Sequence, residues 1–97
     1  LFVTFLRLIG KDITVGKNTV IDFRAHIVAG KGKIVIGEKC YIGPWAVLNT
    51  QGGTITLGNN VSVNYFSVLY GHGNLKIGNN SRIATHTTII PNEHVFS

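Results

Sequence analysis

Aliphatic residues recur at every sixth position along most of this 97-residue chain. The frame starts at Val15, skips two or three extra residues after positions 27, 48 and 69, and ends at Val95. Such a pattern predicts short strands separated by tight turns, with three strands in each repeat. All thirteen positions hold leucine, isoleucine or valine, namely Val15, Ile21, Ile27, Ile36, Ile42, Leu48, Leu57, Val63, Leu69, Ile77, Ile83, Ile89 and Val95.

The skips divide the chain into coils that start at residues 15, 36, 57 and 77, so the repeat is 21, 21 and then 20 residues long. On the first two turns of each coil, the residue after the aliphatic position is mostly Gly, Asn or Asp, which tolerate sharp bends. The sequence therefore predicts an all-β fold, a single-stranded parallel β-helix that forms a triangular solenoid of about four coils. We expect residues 15–97 to form this solenoid and residues 1–14 to form an N-terminal cap segment. A column of small or β-branched residues four positions after the aliphatic supports the frame, namely Thr19, Ala25, Cys40, Ala46, Val61, Ser67, Ser81 and Thr87.

Four aromatic residues fall at positions that this frame turns outward at one corner. They are Phe23, Trp45, Tyr65 and Phe66, and we call them the aromatic ridge. An exposed row of aromatic side chains is typical of a protein interface. A three-sided prism fits a homotrimer, because a contact between unlike surfaces can close into a ring of three. The alternative is a ladder of aromatic rings that pack on one another without a partner.

Composition excludes several classes of protein. With 44% hydrophobic and 13% charged residues the chain does not resemble a disordered segment, and one cysteine rules out a disulfide scaffold. Cys40 lies in the small inward column and is predicted to be a buried structural thiol. No apolar run reaches the roughly 18 residues that a membrane span needs. The single cysteine and the absence of an export signal favour a cytoplasmic protein.

The charged and histidine side chains suggest no nucleic-acid or metal site. The net charge is +5, but the lysines and arginines are spread along the chain without a basic run. We therefore expect no nucleic-acid partner and at most a mild attraction to phosphates or anionic glycans. The closest pair of the four histidines, His86 and His94, is eight residues apart, which does not match the ligand spacing of the zinc-binding β-helix trimers. No metal is predicted.

The stretch from Asn64 to His94 carries a set of motifs. An Asn stands thirty residues before a His, with the turn Tyr70-Gly-His-Gly73 and the coil Ile77-Gly-Asn-Asn80 between them. The segment ends on Asn-x-His, followed by an apolar pair. These motifs resemble the hexapeptide-repeat acyltransferases, nearest to the sugar and polysaccharide O-acetyltransferases. The resemblance implies a left-handed β-helix.

The resemblance also implies an activity and its residues. The reaction would be the transfer of an acetyl group from acetyl-CoA, as co-substrate, to a sugar hydroxyl or a similar small acceptor. His94 would be the general base, and Asn64, Tyr70 and His72 would contact the acceptor. Galactoside-type members tend to carry an acid on the turn where this chain has Tyr70-Gly71-His72, which leaves the identity of the acceptor open.

Members of that family continue for several coils beyond this histidine, and those coils hold most of the CoA. This chain ends at Ser97. We therefore expect a C-terminally truncated form that lacks most of the CoA-binding coils. The alternative function is a non-catalytic β-helix module that oligomerises or binds.

Overall fold

The computed structural model describes residues 7–10 and 12–91, and the regular elements in these two ranges are all β-strands. Most strands hold only two to four residues. Each coil consists of three such straight segments joined by three corners. The strands are β1 (Arg7–Gly10), β2 (Ile13–Val15), β3 (Val20–Ile21), β4 (His26–Gly30), β5 (Lys33–Ile36), β6 (Tyr41–Ile42), β7 (Val47–Asn49), β8 (Thr54–Leu57), β9 (Ser62–Val63), β10 (Val68–Tyr70), β11 (Leu75–Ile77), β12 (Arg82–Ile83) and β13 (Thr88–Ile89).

The strands form three parallel sheets, which are the three faces of a solenoid. Face I contains β2, β5, β8 and β11, and face II contains β3, β6, β9 and β12. Face III contains β1, β4, β7, β10 and β13. The chain visits faces I, II and III in turn. Each strand therefore pairs with the strand three positions later in the chain, as β2 does with β5. The predicted all-β solenoid of about four coils is confirmed.

The pairing register agrees with the predicted repeat. Val15 lies beside Ile36, Ile36 beside Leu57, and Leu57 beside Ile77. These steps are 21, 21 and 20 residues, as the aliphatic frame predicts. The registers of faces II and III follow the same frame.

Alternation along each strand directs the aliphatic frame into a continuous core. Nine of its twelve positions within the described ranges are buried. Val15, Ile77 and Ile89 are half-buried and pack against the core. Val15 and Ile77 lie on the first and last described rungs of face I, and Ile89 lies on the last rung of face III. Among the described residues, a neighbouring rung therefore covers each of these three on one side only.

The extra residues at each skip form the corner between faces III and I. They add an inward column of Ala29, Thr50 and Gly71, which the hexapeptide frame does not contain. Thr50 is buried, and its hydroxyl donates to the carbonyl oxygen of Ala29 at 2.6 Å. The same hydroxyl accepts the backbone N–H of Gly52 at 3.2 Å. The insertions thus widen the core by a column of small residues, in which the one polar side chain, that of Thr50, is hydrogen-bonded.

Two further predictions concern the burial of Cys40 and the absence of a membrane span. Cys40 is 2% exposed, and its thiol donates to the carbonyl oxygen of Gly58 at 3.1 Å, so the predicted burial is confirmed. In residues 7–10 and 12–91 no helix is long and apolar enough to cross a bilayer.

Candidate functional site

The aromatic ridge lies at the corner where the chain passes from face II to face III. Phe23, Trp45, Tyr65 and Phe66 are between 43% and 57% exposed, so their predicted outward position is confirmed. The same column of the frame also holds Pro44, which is buried although Phe23 and Tyr65 are exposed. The register places Pro44 on the rung between those two residues.

The backbone at this corner is strained. Trp45, Phe66 and His86 have φ values of 62°, 61° and 58°, in the left-handed region that bulky L-residues avoid. A left-handed conformation costs such a residue roughly 1–2 kcal/mol. The corner between faces I and II uses the same conformation, but mostly with asparagine, at Asn60 and Asn80 for example. Turn geometry alone therefore does not account for aromatic side chains at this corner.

One pair of rings in the corner is stacked. The rings of Phe66 and His86 lie 5.0 Å apart between centroids, with an angle of 10° between their planes. This contact fits the ladder interpretation for one step of the ridge. It does not cover the ridge, because Phe66 remains 47% exposed with the stack in place.

The first turn of the corner differs from the other three. The backbone N–H of Arg24 donates to Oδ1 of Asp22 at 2.8 Å, and Arg24 has no positive φ. The guanidinium donates to both carboxylate oxygens, Nε to Oδ1 at 2.9 Å and Nη2 to Oδ2 at 3.0 Å. These bonds lower the pKa of Asp22 and raise the pKa of Arg24. The guanidinium carbon also lies 5.0 Å from the centre of the Phe23 ring, a cation–π distance.

Sequence reasoning missed this ion pair. The sequence signal for this pair is an aspartate at position 22 followed by an arginine two residues later. The equivalent position in the next two coils holds Gly43 and Asn64, neither of which carries a charge. A carboxylate at the first residue of a turn commonly accepts the N–H two residues on.

Tyr41 extends the aromatic surface onto face II. A Cβ atom placed on Gly43 would lie 3.3 Å from the Tyr41 hydroxyl and 3.3 Å from the Tyr65 ring, so glycine leaves room for both. Burial raises the pKa of Tyr41, and the nearby Tyr65 and Asp22 raise it further. The corner thus brings together two phenol groups, an ion pair and exposed rings.

Asn64 stands at the start of the third turn of this corner. Its Nδ2 donates to the carbonyl oxygen of Ile83 at 2.7 Å, and its backbone N–H donates to the same oxygen at 3.1 Å. The side chain is therefore anchored to the next rung.

The other predicted acceptor residues lie elsewhere. Tyr70 ends β10 and is half-buried, and His72 is exposed in the turn that follows. The structure brings Tyr70 and His72 to one corner, between faces III and I. Asn64 lies before the other end of β10, at the corner between faces II and III. His94, the predicted general base, lies outside the described residues.

Neither metal ligands nor known relatives add to this picture. Within the described part of the chain, no three His, Cys, Asp or Glu side chains are grouped so that they could hold a metal ion. Comparison with models of protein families, with curated proteins and with solved structures found no match.

Proposed function

We propose that this chain is an acyltransferase that moves an acetyl group from acetyl-CoA to the hydroxyl of a sugar or a similar small acceptor. The observation that carries the proposal is the three-sided parallel solenoid with rungs of 20 or 21 residues, which is compatible with the left-handed β-helix that the motifs between Asn64 and His94 imply. The assignment of roles rests on those motifs.

The proposed chemistry needs one proton acceptor. His94, as a neutral imidazole, takes the proton of the acceptor hydroxyl while the hydroxyl oxygen attacks the thioester carbonyl of acetyl-CoA. The adduct collapses to the acetyl ester, the carbon–sulfur bond breaks, and the CoA sulfur leaves with the proton that His94 returns. Tyr70 and His72, which share a corner, would orient the acceptor with a phenol and an imidazole, and Asn64, which lies at another corner, would contact the acceptor from a neighbouring copy of the chain.

The test is thiol release from acetyl-CoA in the presence of a panel of sugar acceptors. We expect His94→Ala to lower turnover by a factor of about 10²–10⁴, the usual contribution of a positioned general base. His86→Asn is the matched control, because it removes a histidine at a left-handed position that asparagine tolerates. Equal turnover by the His94→Ala variant and the wild-type chain would contradict the assignment.

We also propose that the aromatic ridge assembles three copies of the chain, which is the binding function left open by the sequence. Its support is the strain at the corner: large exposed rings are retained at Trp45 and Phe66 although asparagine would relieve the backbone. Each ridge would pack on another surface of the next copy, and three such contacts close a ring.

The assembly is tested with the double variant Trp45→Asn and Phe66→Asn. Light scattering on the wild-type chain should give three times the 10.5 kDa chain mass, and the double variant should give the chain mass alone. The thermal stability of the separated chain should not fall, because asparagine is better suited to a left-handed turn.

A matched control for this experiment is Lys39→Asn. Lys39 is also exposed and left-handed, with φ of 58°, but it lies at the corner between faces I and II. This variant should keep the trimer. A wild-type chain that stays monomeric at micromolar concentration, or a double variant that still forms trimers, would refute the proposed interface.

A further inference from the structure

The basic side chains are concentrated on one side of the solenoid, although they are spread along the sequence. Eight lysines and arginines lie within the described ranges, and six of them are exposed on face I or beside it. The other two are Arg7 in β1 and Arg24, which is paired with Asp22. We call the six the basic side, and they are Lys17, Lys31, Lys33, Lys39, Lys76 and Arg82.

The solenoid register brings these residues together. Lys33 and Lys76 lie on β5 and β11, two rungs apart on face I, which corresponds to about 10 Å along the axis. Lys17 and Lys39 lie on adjacent rungs of the corner between faces I and II, where the N–H of Lys39 donates to the carbonyl oxygen of Lys17. Arg82 is held at this corner because its Nη1 donates to the Asn60 carbonyl oxygen at 2.7 Å. Two exposed acids, Asp12 and Glu38, only partly offset the six positive charges on this side.

Between the lysines, face I presents hydroxyl groups. Outward positions of its strands hold Thr14, Thr54 and Thr56, and Thr56 lies between Val35 and Lys76 on its neighbouring rungs. In a three-sided solenoid the aromatic ridge lies on the edge opposite face I. The described strands of face I carry no aromatic side chain.

From this distribution we infer that the basic side binds an anionic polysaccharide that lies along the solenoid axis. Charge complementarity provides the attraction, because clustered cations raise the local concentration of a polyanion. Threonine hydroxyls can bond to sugar hydroxyls between the charged contacts. A single-stranded nucleic acid fits less well, since its bases need aromatic side chains on which to stack. This inference does not depend on acyl transfer, because the basic side includes none of the proposed catalytic or acceptor residues.

The test measures binding of the full chain to polygalacturonate and to dextran sulfate over a series of salt concentrations, with neutral dextran as the uncharged probe. We expect saturable binding to at least one of the two anionic polymers and none to dextran. The slope of log K against log salt should fall in magnitude by about two in the Lys33→Gln and Lys76→Gln double variant, since each lost ionic contact removes about one unit. The two polymers distinguish carboxylate from sulfate as the preferred anion.

A control variant separates the basic side from the net charge of the chain. Thr88→Glu and Ile90→Glu together lower the net charge by the same two units at exposed positions on and just after β13, on face III. This variant should keep the wild-type slope. Equal loss of binding in the two variants would overturn the inference, as would tighter binding of a single-stranded DNA than of either anionic polysaccharide.

Discussion

Asp22 illustrates how one side chain can replace a backbone conformation. Three turns of the ridge corner use a left-handed residue, whereas in the first turn the Asp22 carboxylate accepts the Arg24 N–H and the chain turns without one. The sequence predicts the outward column at this corner, but not that the Asp22 hydrogen bond replaces the left-handed residue in the first turn. It also does not predict that Pro44 is buried, since the same column is exposed at Phe23 and Tyr65.

At this scale the ion pair should make stability depend on pH. The pKa of Asp22 is lowered in the folded chain, so the unfolded chain binds the proton more readily. The stabilisation is therefore complete above the unfolded pKa of about 3.9 and is lost as the pH falls through the lower folded value. We expect Asp22→Asn to melt a few degrees below the wild-type chain at pH 7, and the difference to shrink below about pH 4.

Thermal melts from pH 7 to pH 2 would measure this effect. Asp12→Asn removes the same charge from an exposed position on the basic side and controls for net charge. A melting difference for Asp22→Asn that stays constant down to pH 2 would be inconsistent with a role for the ionised carboxylate.

Among the elements, the corner between faces III and I departs most from the hexapeptide pattern. The sequence locates the extra residues here, because the aliphatic frame skips at this point in every coil. It does not predict that Ala29, Thr50 and Gly71 form a core column, since that depends on where the inserted residues bend. Close packing of backbone between rungs is the reason for the glycines: a Cβ on Gly53 would collide with the carbonyl oxygen of Gly71.

This contact predicts different outcomes for two adjacent glycines. Gly53→Ala should destabilise the chain by about 1–3 kcal/mol, because the methyl group forces two rungs apart. Gly52→Ala meets no atom within 4 Å, so its cost is limited to the strain of a φ of 88°. Urea unfolding measures both variants on one scale. If the Gly53→Ala variant were no less stable than the Gly52→Ala variant, close packing at this corner would not be what requires glycine.

For the whole molecule, the sequence predicts the architecture better than the site. The aliphatic frame contains enough information to predict strands, coils and register, because every inward position must match the one above it. The arrangement of the outer surface needs the corners as well. Lys31 and Lys76 are 45 residues apart in the chain but lie on the same side, and this follows only once the register and the turns are known.

The candidate site shows the same limit. Tyr70 and His72 share a corner because they are two residues apart, but the structure places Asn64 at a different one. The hexapeptide frame predicts Asn64 and His94 at different corners, so the motif spacing alone does not bring the two side chains together. Their roles therefore depend on the resemblance and on the activity test.

The change from a 21-residue to a 20-residue repeat shows how this architecture tolerates changes in length. The third coil lacks one residue at the corner between faces III and I, yet the strands that follow this corner stay aligned with those of the third coil. A deletion inside a strand would instead turn the later inward side chains of that strand outward, because side chains alternate along a strand. Insertions, deletions and duplications of whole coils are thus compatible with the fold, whereas insertions or deletions of single residues within a strand are not. A gene for such a protein can grow or shrink by one rung at a time and keep all of its faces.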